Sequence, residues 1–266
     1  MNYCFASSAG ADLKHEAQTP AREAIAMTCA ERIATFVRRS GYEELSDSAR
    51  EQVKIRILYS LGCALSALEG EPVQILRRTI GGFAPQGKCT MIGGGTTVPD
   101  SAAFYDGAII RYLDFNDAYV ANGETCDPSG NLVAILAGAV YADASGRELM
   151  TALAIAHPMQ CRLCDVAPVR DKGLDHSTQG SYSVTAGVAK SRVEMRTANA
   201  IAICGTAFNA LRVTRTGQLS HGKGLALPNT AVARTHRHCG STRGKHQQME
   251  QLSVRWEHSR VKERTQ

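Results

Sequence analysis

Apolar side chains recur at three- and four-residue intervals over most of the chain, which is the spacing of one helix face. The first such stretch predicts a helix over residues 24–39. A second helix is predicted from the capping-box pattern Ser48-Ala-Arg-Glu51 onward, and Gly70-Glu-Pro72 would end it. The expected apolar face of this second helix consists of Val53, Ile57, Leu61, Leu65 and Leu68.

The same spacing continues through the middle of the chain. Another capping box, Ser145-Gly-Arg-Glu148, opens a helix that contains Pro158, which removes a backbone donor and is predicted to kink it. Only the segment around Gly93-Gly-Gly95 is expected to be extended. A glycine triplet directly before a helix can bind phosphate, but here Pro99 intervenes and no Gly-Lys-Ser/Thr motif follows, which argues against phosphate binding. Helices are predicted over residues 73–83, 101–113, 132–140, 149–163, 178–190 and 196–211.

An acidic stretch from Arg111 to Asn131 separates two of these helical segments. Loops held between rigid elements often carry catalytic or binding residues, so this stretch is a candidate functional site. The alternative is a solvated acidic loop, in which Asp127-Pro128 is simply an N-cap followed by proline at the first helical position. The pattern alone favours the second interpretation. The acidic residues are Asp114, Asp117, Glu124 and Asp127.

Composition narrows the class of protein. A chain of 266 residues can bury one large core or two small ones, and 24 glycines with only 6% aromatic residues indicate closely packed helices. No apolar run is long enough to span a membrane, and residues 1–18 lack the basic start and apolar centre of a secretion signal. Nine cysteines without such a signal predict reduced thiols and a cytoplasmic location.

Two of these cysteines form a CxxC pair, Cys161-Arg-Leu-Cys164. Zinc requires four ligands, and the sequence has no second CxxC or histidine pair at a zinc-finger spacing. We therefore interpret the pair as two small helix residues that pack in the interior. An iron–sulfur centre that adds Cys126 is an alternative, which a colourless, iron-free preparation would exclude.

Charge is concentrated at the C-terminus. Residues 234–266 contain eight Lys/Arg and three Asp/Glu, a net charge of +5, which equals that of the whole chain. Such a segment can bind nucleic acid, although Trp256 is its only aromatic residue for base stacking, and its composition is also typical of disorder. We favour a third interpretation, a frameshifted or misread end.

Several motifs in order resemble the MmgE/PrpD family of 2-methylcitrate dehydratases and cis-aconitate decarboxylases. They are Leu113-Asp-Phe-Asn-Asp117 followed by Pro128-Ser-Gly-Asn131, then Gly173-Leu-Asp-His176, then Ser220-His-Gly-Lys-Gly-Leu-Ala226. The resemblance spans residues 31–233, and its motifs are nearer to the dehydratases than to the decarboxylases. It ends abruptly near Arg234, which is the basis for the frameshift interpretation.

The resemblance implies an all-α fold, the helical domain of the family, in a chain that lacks most or all of the family's second, α/β domain. Residues 1–23 are then a flexible N-terminus, 24–233 the helical domain and 234–266 the basic tail. The resemblance further implies a homodimer that acts in propionate metabolism, without a metal or other cofactor. No membrane partner is expected, and nucleic acid is a weak candidate.

Elimination of water from a tricarboxylic hydroxy acid requires a base, an acid and cations for the carboxylates. By resemblance we assign catalysis to Asp114, His176 and Lys223, and substrate binding to Asp117, Asp127, His221 and Arg212. Further positive charge is available from Arg170 and Arg215. The plainer alternative is that these loop residues only contact water.

Two motif positions depart from the family pattern. Ala118 stands where threonine is common, and Asp127 stands where histidine is common, so a hydroxyl is lost and a carboxylate is placed beside a polyanion. We expect impaired activity as a 2-methylcitrate dehydratase-like lyase. The alternatives are a catalytically inactive fragment, an enzyme similar to cis-aconitate decarboxylase, or a relative that acts on another hydroxy acid.

Overall fold

A computed structural model gives the fold and describes residues 27–84, 86–190, 197–205, 209–216 and 222–240. The predicted flexible N-terminus, the candidate His221 and residues 241–266 of the predicted tail lie outside these ranges. The described residues are helical apart from loops and two short hairpins, which confirms the predicted all-α class. None of the described helices is long and apolar enough to cross a membrane.

The helices follow one another along the chain with short connections. In order they are α1 Cys29–Arg39, α2 Asp47–Ala67, α3 Glu71–Phe83, α4 Pro99–Tyr112, α5 Asn131–Tyr141, α6 Gly146–Val166, α7 Ser177–Lys190, α8 Thr197–Cys204 and α9 Gly222–Gly240. The antiparallel hairpins are β1 Cys89–Thr90 with β2 Thr96–Thr97, and β3 Tyr119–Ala121 with β4 Glu124–Cys126.

Side-chain caps set several helix starts. The box at Ser145 and Glu148 opens α6 as predicted, and Thr28 with Glu31 opens α1 in the same way. The box predicted at Ser48 is wrong, because Ser46 accepts a hydrogen bond from the backbone of Ala49 and α2 begins two residues earlier. Helix α6 runs through Pro158 as one helix.

The core is formed where α4, α5, α6, α7 and α9 pack together. Its largest fully buried side chains include Tyr105, Ile109, Ile135 and Leu153, with many alanines between them. Small residues let the helix backbones approach closely, which fits the abundance of Ala and Gly. At Gly130, an added Cβ would lie 2.3 Å from Leu227 Cδ1, so α9 packs directly on the turn before α5.

The buried face of α2 differs from the predicted one. Val53 is buried, but Leu65 is 59% exposed, and the rest of the buried face is polar or small. The prediction was partly wrong because it ranked residues by hydrophobicity, whereas contact with α4 requires small side chains. The buried residues of α2 are Val53, Ser60, Cys63, Ala64 and Ala67.

Two further predictions are corrected near the C-terminal end. The helix predicted over residues 196–211 is observed over the shorter span of α8, and Leu211 instead makes a β-bridge to Leu174. Lys223 was expected in a loop but lies in the first turn of α9, which the sequence patterns did not predict. Helix α9 continues to Gly240, past the predicted start of the basic tail.

Candidate active site

The stretch between α4 and α5 contains regular secondary structure, although the sequence suggested an acidic loop. Its centre is the β3–β4 hairpin, which turns at Asn122-Gly123 with a positive φ of 78° at Gly123. An Asn-Gly pair between short extended runs is a strong hairpin signal, and it was available in the sequence. The hairpin packs against α6; Asp114 and Asp117 precede it, Glu124 lies within it and Asp127 follows it.

Glu124 anchors this hairpin and is not a site residue. Its buried carboxylate accepts hydrogen bonds from the backbone N–H groups of Val169 and Arg170, each at 2.9 Å. Burial alone would raise the pKa of Glu124, but the backbone donors Val169, Thr125 and Arg170 outweigh it and lower that pKa. Glu124 therefore fixes the hairpin to the segment that leads to His176.

Asp114 and Lys223 form the first charged pair of the candidate site. Nζ of Lys223 lies 2.7 Å from Oδ2 of Asp114, so the start of α9 is joined to the residue just after α4. Asp114 has a left-handed backbone, with φ of 56°, which few residues other than glycine, asparagine and aspartate adopt readily. Two residues assigned to catalysis by resemblance are thus in direct contact.

Asp117 is held by both backbone and side-chain donors. One carboxylate oxygen accepts the N–H of Ser129 at 2.8 Å, and the other forms an ion pair with Arg56 of α2. Arg56 was not selected as a site residue from the sequence, because α2 carries charges of both signs and nothing in the sequence distinguishes this arginine from the other charged residues. The pair places a cation from α2 against the turn that precedes α5.

Asp127 lies between the guanidinium of Arg111 and the imidazole of His176. Its Oδ2 is 2.5 Å from Nη1 of Arg111 and 3.3 Å from Nε2 of His176. Burial would raise the pKa of Asp127, but the hydrogen bond from His176 and the charge of Arg111 outweigh it and lower that pKa to about 2. Asp127 is therefore ionised at neutral pH.

Arg111 connects the two halves of this network. Its side chain is only 3% exposed; Nη1 contacts Asp127, and Nη2 lies 3.6 Å from Oδ1 of Asp114. We did not propose Arg111 as a site residue from the sequence. The sequence did contain an indication that Arg111 has a partner. Arg111 directly follows the apolar pair Ile109-Ile110 in a largely apolar helix, and arginine is rarely buried without a partner.

His176 lies just before α7 and is largely buried. Besides Asp127, it has Arg215 Nη2 at 3.5 Å, and the same arginine forms an ion pair with the buried Asp175. Burial would raise the pKa of Asp175, but the charges of His176 and Arg215 lower it. Arg215 thus approaches the imidazole, and Asp175 holds it there.

Arg212 lies apart from this network. It is in the 3-10 helix Arg212–Arg215, and its backbone N–H donates to the carbonyl of Gly173 at 2.9 Å. Its guanidinium has no ion pair within the described part of the chain. The structure joins the candidates Asp114, Asp127, His176 and Lys223 through Arg111, and it adds Arg215 beside His176. The candidate Asp117 forms a separate pair with Arg56.

Several buried polar atoms in this region have no hydrogen-bond partner among the described residues. They include Oγ of Ser129, Nε of Arg111 and Nε2 of His157. Buried polar groups normally have partners, so these atoms are candidates for contacts with a polar ligand. In the ranges that the structure describes, no group of three or more His, Cys, Asp or Glu side chains is arranged to hold a metal ion.

Both carboxylates of the Asp114-Phe-Asn-Asp117 motif are thus paired with cations, Asp114 with Lys223 and Asp117 with Arg56. Residues 31–236 match the model of the MmgE/PrpD N-terminal domain. This match covers more than half of the chain, and the chain belongs to the MmgE/PrpD family. The family predicted from the motifs is confirmed.

Relatives with an assigned activity are similar over part of their length. The chain is 34% identical over 167 residues to the 2-methylcitrate dehydratase of Escherichia coli K12, covering 56% of this chain and 33% of that protein. It is 32% identical over 176 residues to the enzyme of Cupriavidus necator, covering 59% and 34%. The mitochondrial enzyme of Yarrowia lipolytica is 31% identical over 167 residues, covering 56% and 31%. The chain thus spans about a third of the length of these relatives.

Proposed function

We propose that this chain carries the helical part of a hydro-lyase active site that acts on 2-methylcitrate or a related tricarboxylic hydroxy acid. The observation that carries the proposal is the contact network in which Arg111 joins the Lys223–Asp114 pair to the Asp127–His176 pair. Similarity to proteins named 2-methylcitrate dehydratase supports the substrate class.

We assign the removal of the substrate proton to His176. In the neutral ring, Asp127 can accept the Nε2 proton, which fixes that tautomer and leaves the lone pair of Nδ1 to accept a proton from substrate carbon. This assignment makes Asp127 an orienting residue rather than a direct substrate ligand. In other enzymes a carboxylate orients a catalytic imidazole in the same way.

The second role is to protonate the departing hydroxide. Asp114 holds Lys223 in place, and Lys223 donates a proton as the carbon–oxygen bond breaks, so that water leaves. Arg215 and Arg56 supply charge for substrate carboxylates and for the enediolate that forms during proton removal. The proton taken by His176 and the hydroxide protonated by Lys223 account for the elimination.

A second candidate function, a binding or structural role without turnover, is favoured by the charge balance of the site. Arg56, Arg111, Arg215 and Lys223 carry four positive charges, and each is already paired with a carboxylate. The four carboxylates, from Asp117, Asp127, Asp175 and Asp114, cancel these charges. A tricarboxylate must then compete with the protein's own acids for its cations.

The test is to incubate the purified chain with 2-methylcitrate, citrate and cis-aconitate while alkene absorbance and carbon dioxide are measured. Alkene formed from 2-methylcitrate, and abolished by Lys223→Met, is the expected result. Carbon dioxide from cis-aconitate would instead assign a decarboxylase. Absence of either product from a folded protein that still binds 2-methylcitrate would favour the second candidate.

Homodimer formation, a cytoplasmic location and a place in propionate metabolism also remain proposals. The exposed apolar side chains of α2 support self-association, because large apolar patches on a soluble surface usually mark contacts. These side chains are Ile55, Leu58, Tyr59 and Leu65. Light scattering of the purified chain measures its mass directly, and a monomer at micromolar concentration would contradict the dimer.

A further inference from the structure

Three polar side chains meet in the interior where α5, α6 and α7 pack together. Nδ2 of Asn131, the first residue of α5, donates to Oε1 of Gln160 on α6 at 2.8 Å. Oγ of Ser183, on α7, donates to Oδ1 of Asn131 at 2.8 Å. None of the three residues is more than 1% exposed. We call these three side chains the Asn131 bridge; none of them has a role in the proton transfers proposed above.

The bridge is polar, although the helices that carry it are largely apolar inside. These helices contribute Ile135, Leu153 and Val184 to the main hydrophobic core. Burial of a polar group costs free energy unless the group is hydrogen-bonded, and apolar side chains of the same shape can often replace a buried hydrogen-bonded pair with little loss of stability. A buried polar set therefore fixes one arrangement of the helices more than it stabilises the fold.

At one end, the bridge holds the segment that carries Asp127. The N–H of Gly130 donates to the carbonyl of Asp127 at 3.1 Å, and the N–H of Asn131 donates to the carbonyl of Pro128. These bonds close the turn between Asp127 and Asn131, and α5 begins directly at Asn131. Because the turn has backbone hydrogen bonds of its own, the position of Asn131 sets the position of Asp127.

At the other end, the bridge holds the segment that carries His176. The N–H of Gly180 donates to the carbonyl of His176 at 3.2 Å, and Oγ of Ser183 lies 3.0 Å from the carbonyl oxygen of Gly180. Ser183 thus lies about two helical turns after His176 in a continuous helix. A helix is stiff over this length, so the position of Ser183 sets the position of His176.

We propose that Asn131, Gln160 and Ser183 are positioning residues, which hold Asp127 against Nε2 of His176. The Asn131–Ser183 hydrogen bond joins the two segments at one point, and the Asp127–His176 contact at 3.3 Å joins them at a second. Two stiff segments that are joined at two points cannot rotate about either contact. The effect of the bridge on turnover rests on the proposed function, whereas its effect on the placement of His176 does not.

Gln160 decides which way the amide of Asn131 faces. A side-chain amide can turn over, which exchanges its oxygen and its nitrogen. Oε1 of Gln160 accepts a proton from Nδ2 of Asn131, so Oδ1 of Asn131 faces Ser183. Gly180 leaves room for the Gln160 amide, because a Cβ added there would lie 3.3 Å from Nε2 of Gln160. Loss of the Gln160 amide should therefore have the same effect as loss of the Ser183 hydroxyl.

Carbethoxylation of histidine by diethyl pyrocarbonate tests the bridge in the purified full chain. His176 and His157 are both buried, and trypsin separates them because it cleaves after Arg162. Mass spectrometry of the peptides gives the reaction rate at each histidine. We expect Ser183→Ala to raise the rate at His176 about tenfold relative to the rate at His157, because only the segment that carries His176 has lost a contact.

A second variant and a control accompany Ser183→Ala. Gln160→Met keeps a side chain of similar length, removes the acceptor for Asn131 and should change the two rates in the same direction. Thr151→Val is the matched control, because the hydroxyl of Thr151 is also buried but donates to the carbonyl of Arg147 in its own helix at 2.8 Å. Circular dichroism checks folding, and Gln160→Met decides the question if Ser183→Ala does not fold.

Turnover of 2-methylcitrate gives a second measurement. Ser183→Ala should lower kcat by about threefold to tenfold and change KM by less than about twofold, because it displaces an orienting residue and removes no substrate contact. Thr151→Val should leave both constants unchanged. A wild-type chain without turnover would contradict the proposed function, and the carbethoxylation rates would still decide the role of the bridge.

Three results would overturn the proposal. The first is a ratio of the His176 rate to the His157 rate that stays within about twofold of the wild type in folded Ser183→Ala and Gln160→Met. The second is an equal rise at both histidines, which would mean that the bridge supports the fold as a whole. The third is loss of folding in both variants, which would make the bridge a requirement of the fold.

Discussion

The guanidinium of Arg111 donates to the carboxylate of Asp127 at 2.5 Å, and both side chains are largely buried. This pair joins the end of α4 to the residue that precedes the turn before α5. Arg111 compensates the negative charge of Asp127, and His176 contacts the same carboxylate oxygen.

Arg111→Met is expected to reduce the free energy of unfolding by about 3–5 kcal/mol, since it leaves the Asp127 carboxylate buried without its main partner. Urea denaturation followed by circular dichroism measures the change. Arg162→Met is the matched control: Arg162 is mostly exposed and pairs with Asp165, and its loss should change stability by less than about 0.5 kcal/mol. Equal losses in the two variants would contradict a structural role for the Arg111 pair.

Asp127→His should lower kcat for 2-methylcitrate by about tenfold, because it removes the carboxylate that fixes the tautomer of His176. Steady-state kinetics give kcat and KM separately. Asp127→Asn separates the effect of losing the carboxylate charge from the effect of adding an imidazole, because asparagine has no charge and does not titrate. Turnover in Asp127→His that equals or exceeds that of the wild type would contradict the orienting role of Asp127.

Lys223→Met should lower kcat by about 10² to 10³, because it removes the proposed acid while keeping a side chain of similar length. Asp114→Asn should lower kcat less, by about tenfold, since asparagine tolerates the left-handed backbone at position 114 and loses only the charge next to Lys223. The proposed role of Lys223 is wrong if Lys223→Met changes KM and leaves kcat intact.

Asp106 predicts a pH dependence of stability. Burial raises the pKa of Asp106 from 3.8 to about 7, although the hydrogen bond from the backbone of Ile92 partly opposes this. The folded state therefore holds a proton that the unfolded state releases, so stability falls as pH rises from about 4 to about 7.

Asp106→Asn removes this titration while keeping an acceptor for Ile92. The variant should match the wild type below pH 4 and exceed it above pH 7 by up to about 4 kcal/mol, as measured by urea denaturation across that range. A difference between variant and wild type that stays constant with pH would show that Asp106 is not the titrating group.

Gly130→Ala tests the packing of α9 on the turn before α5. An added Cβ would lie 2.3 Å from Cδ1 and 3.2 Å from Cγ of Leu227, so we expect a loss of about 1–3 kcal/mol by urea denaturation. Gly62→Ala is the control within a helix, because no atom lies within 4 Å of its added Cβ, and it should stabilise the protein by up to about 1 kcal/mol. Similar effects of both variants would contradict the observed position of α9.

The sequence predicted most helices because their causes are local. The capping box at Ser145 and Glu148 starts α6 with hydrogen bonds inside one turn, and that prediction is confirmed. Helix α9 was missed, because Pro228 and the basic residues that follow argue against a helix locally. Its formation depends on burial of Ala226, Leu227 and Ala231 against the other helices.

The acidic motif and its partners were identified as candidates from the sequence by resemblance, and their roles remain predictions. Residue order alone predicted neither that Lys223 would contact Asp114 nor that Asp127 would contact His176. It gave no reason to select Arg56, which meets Asp117 from 61 positions away. Such pairs depend on how the helices pack.

The sequence by itself determined the helical class and the family, because periodic apolar positions, capping residues and ordered motifs are properties of neighbouring residues. Only the tertiary structure decided which of the charged side chains form ion pairs. A buried ion pair forms when packing removes water from groups that are distant in the chain. The Arg111–Asp127 pair therefore became visible only in the folded protein.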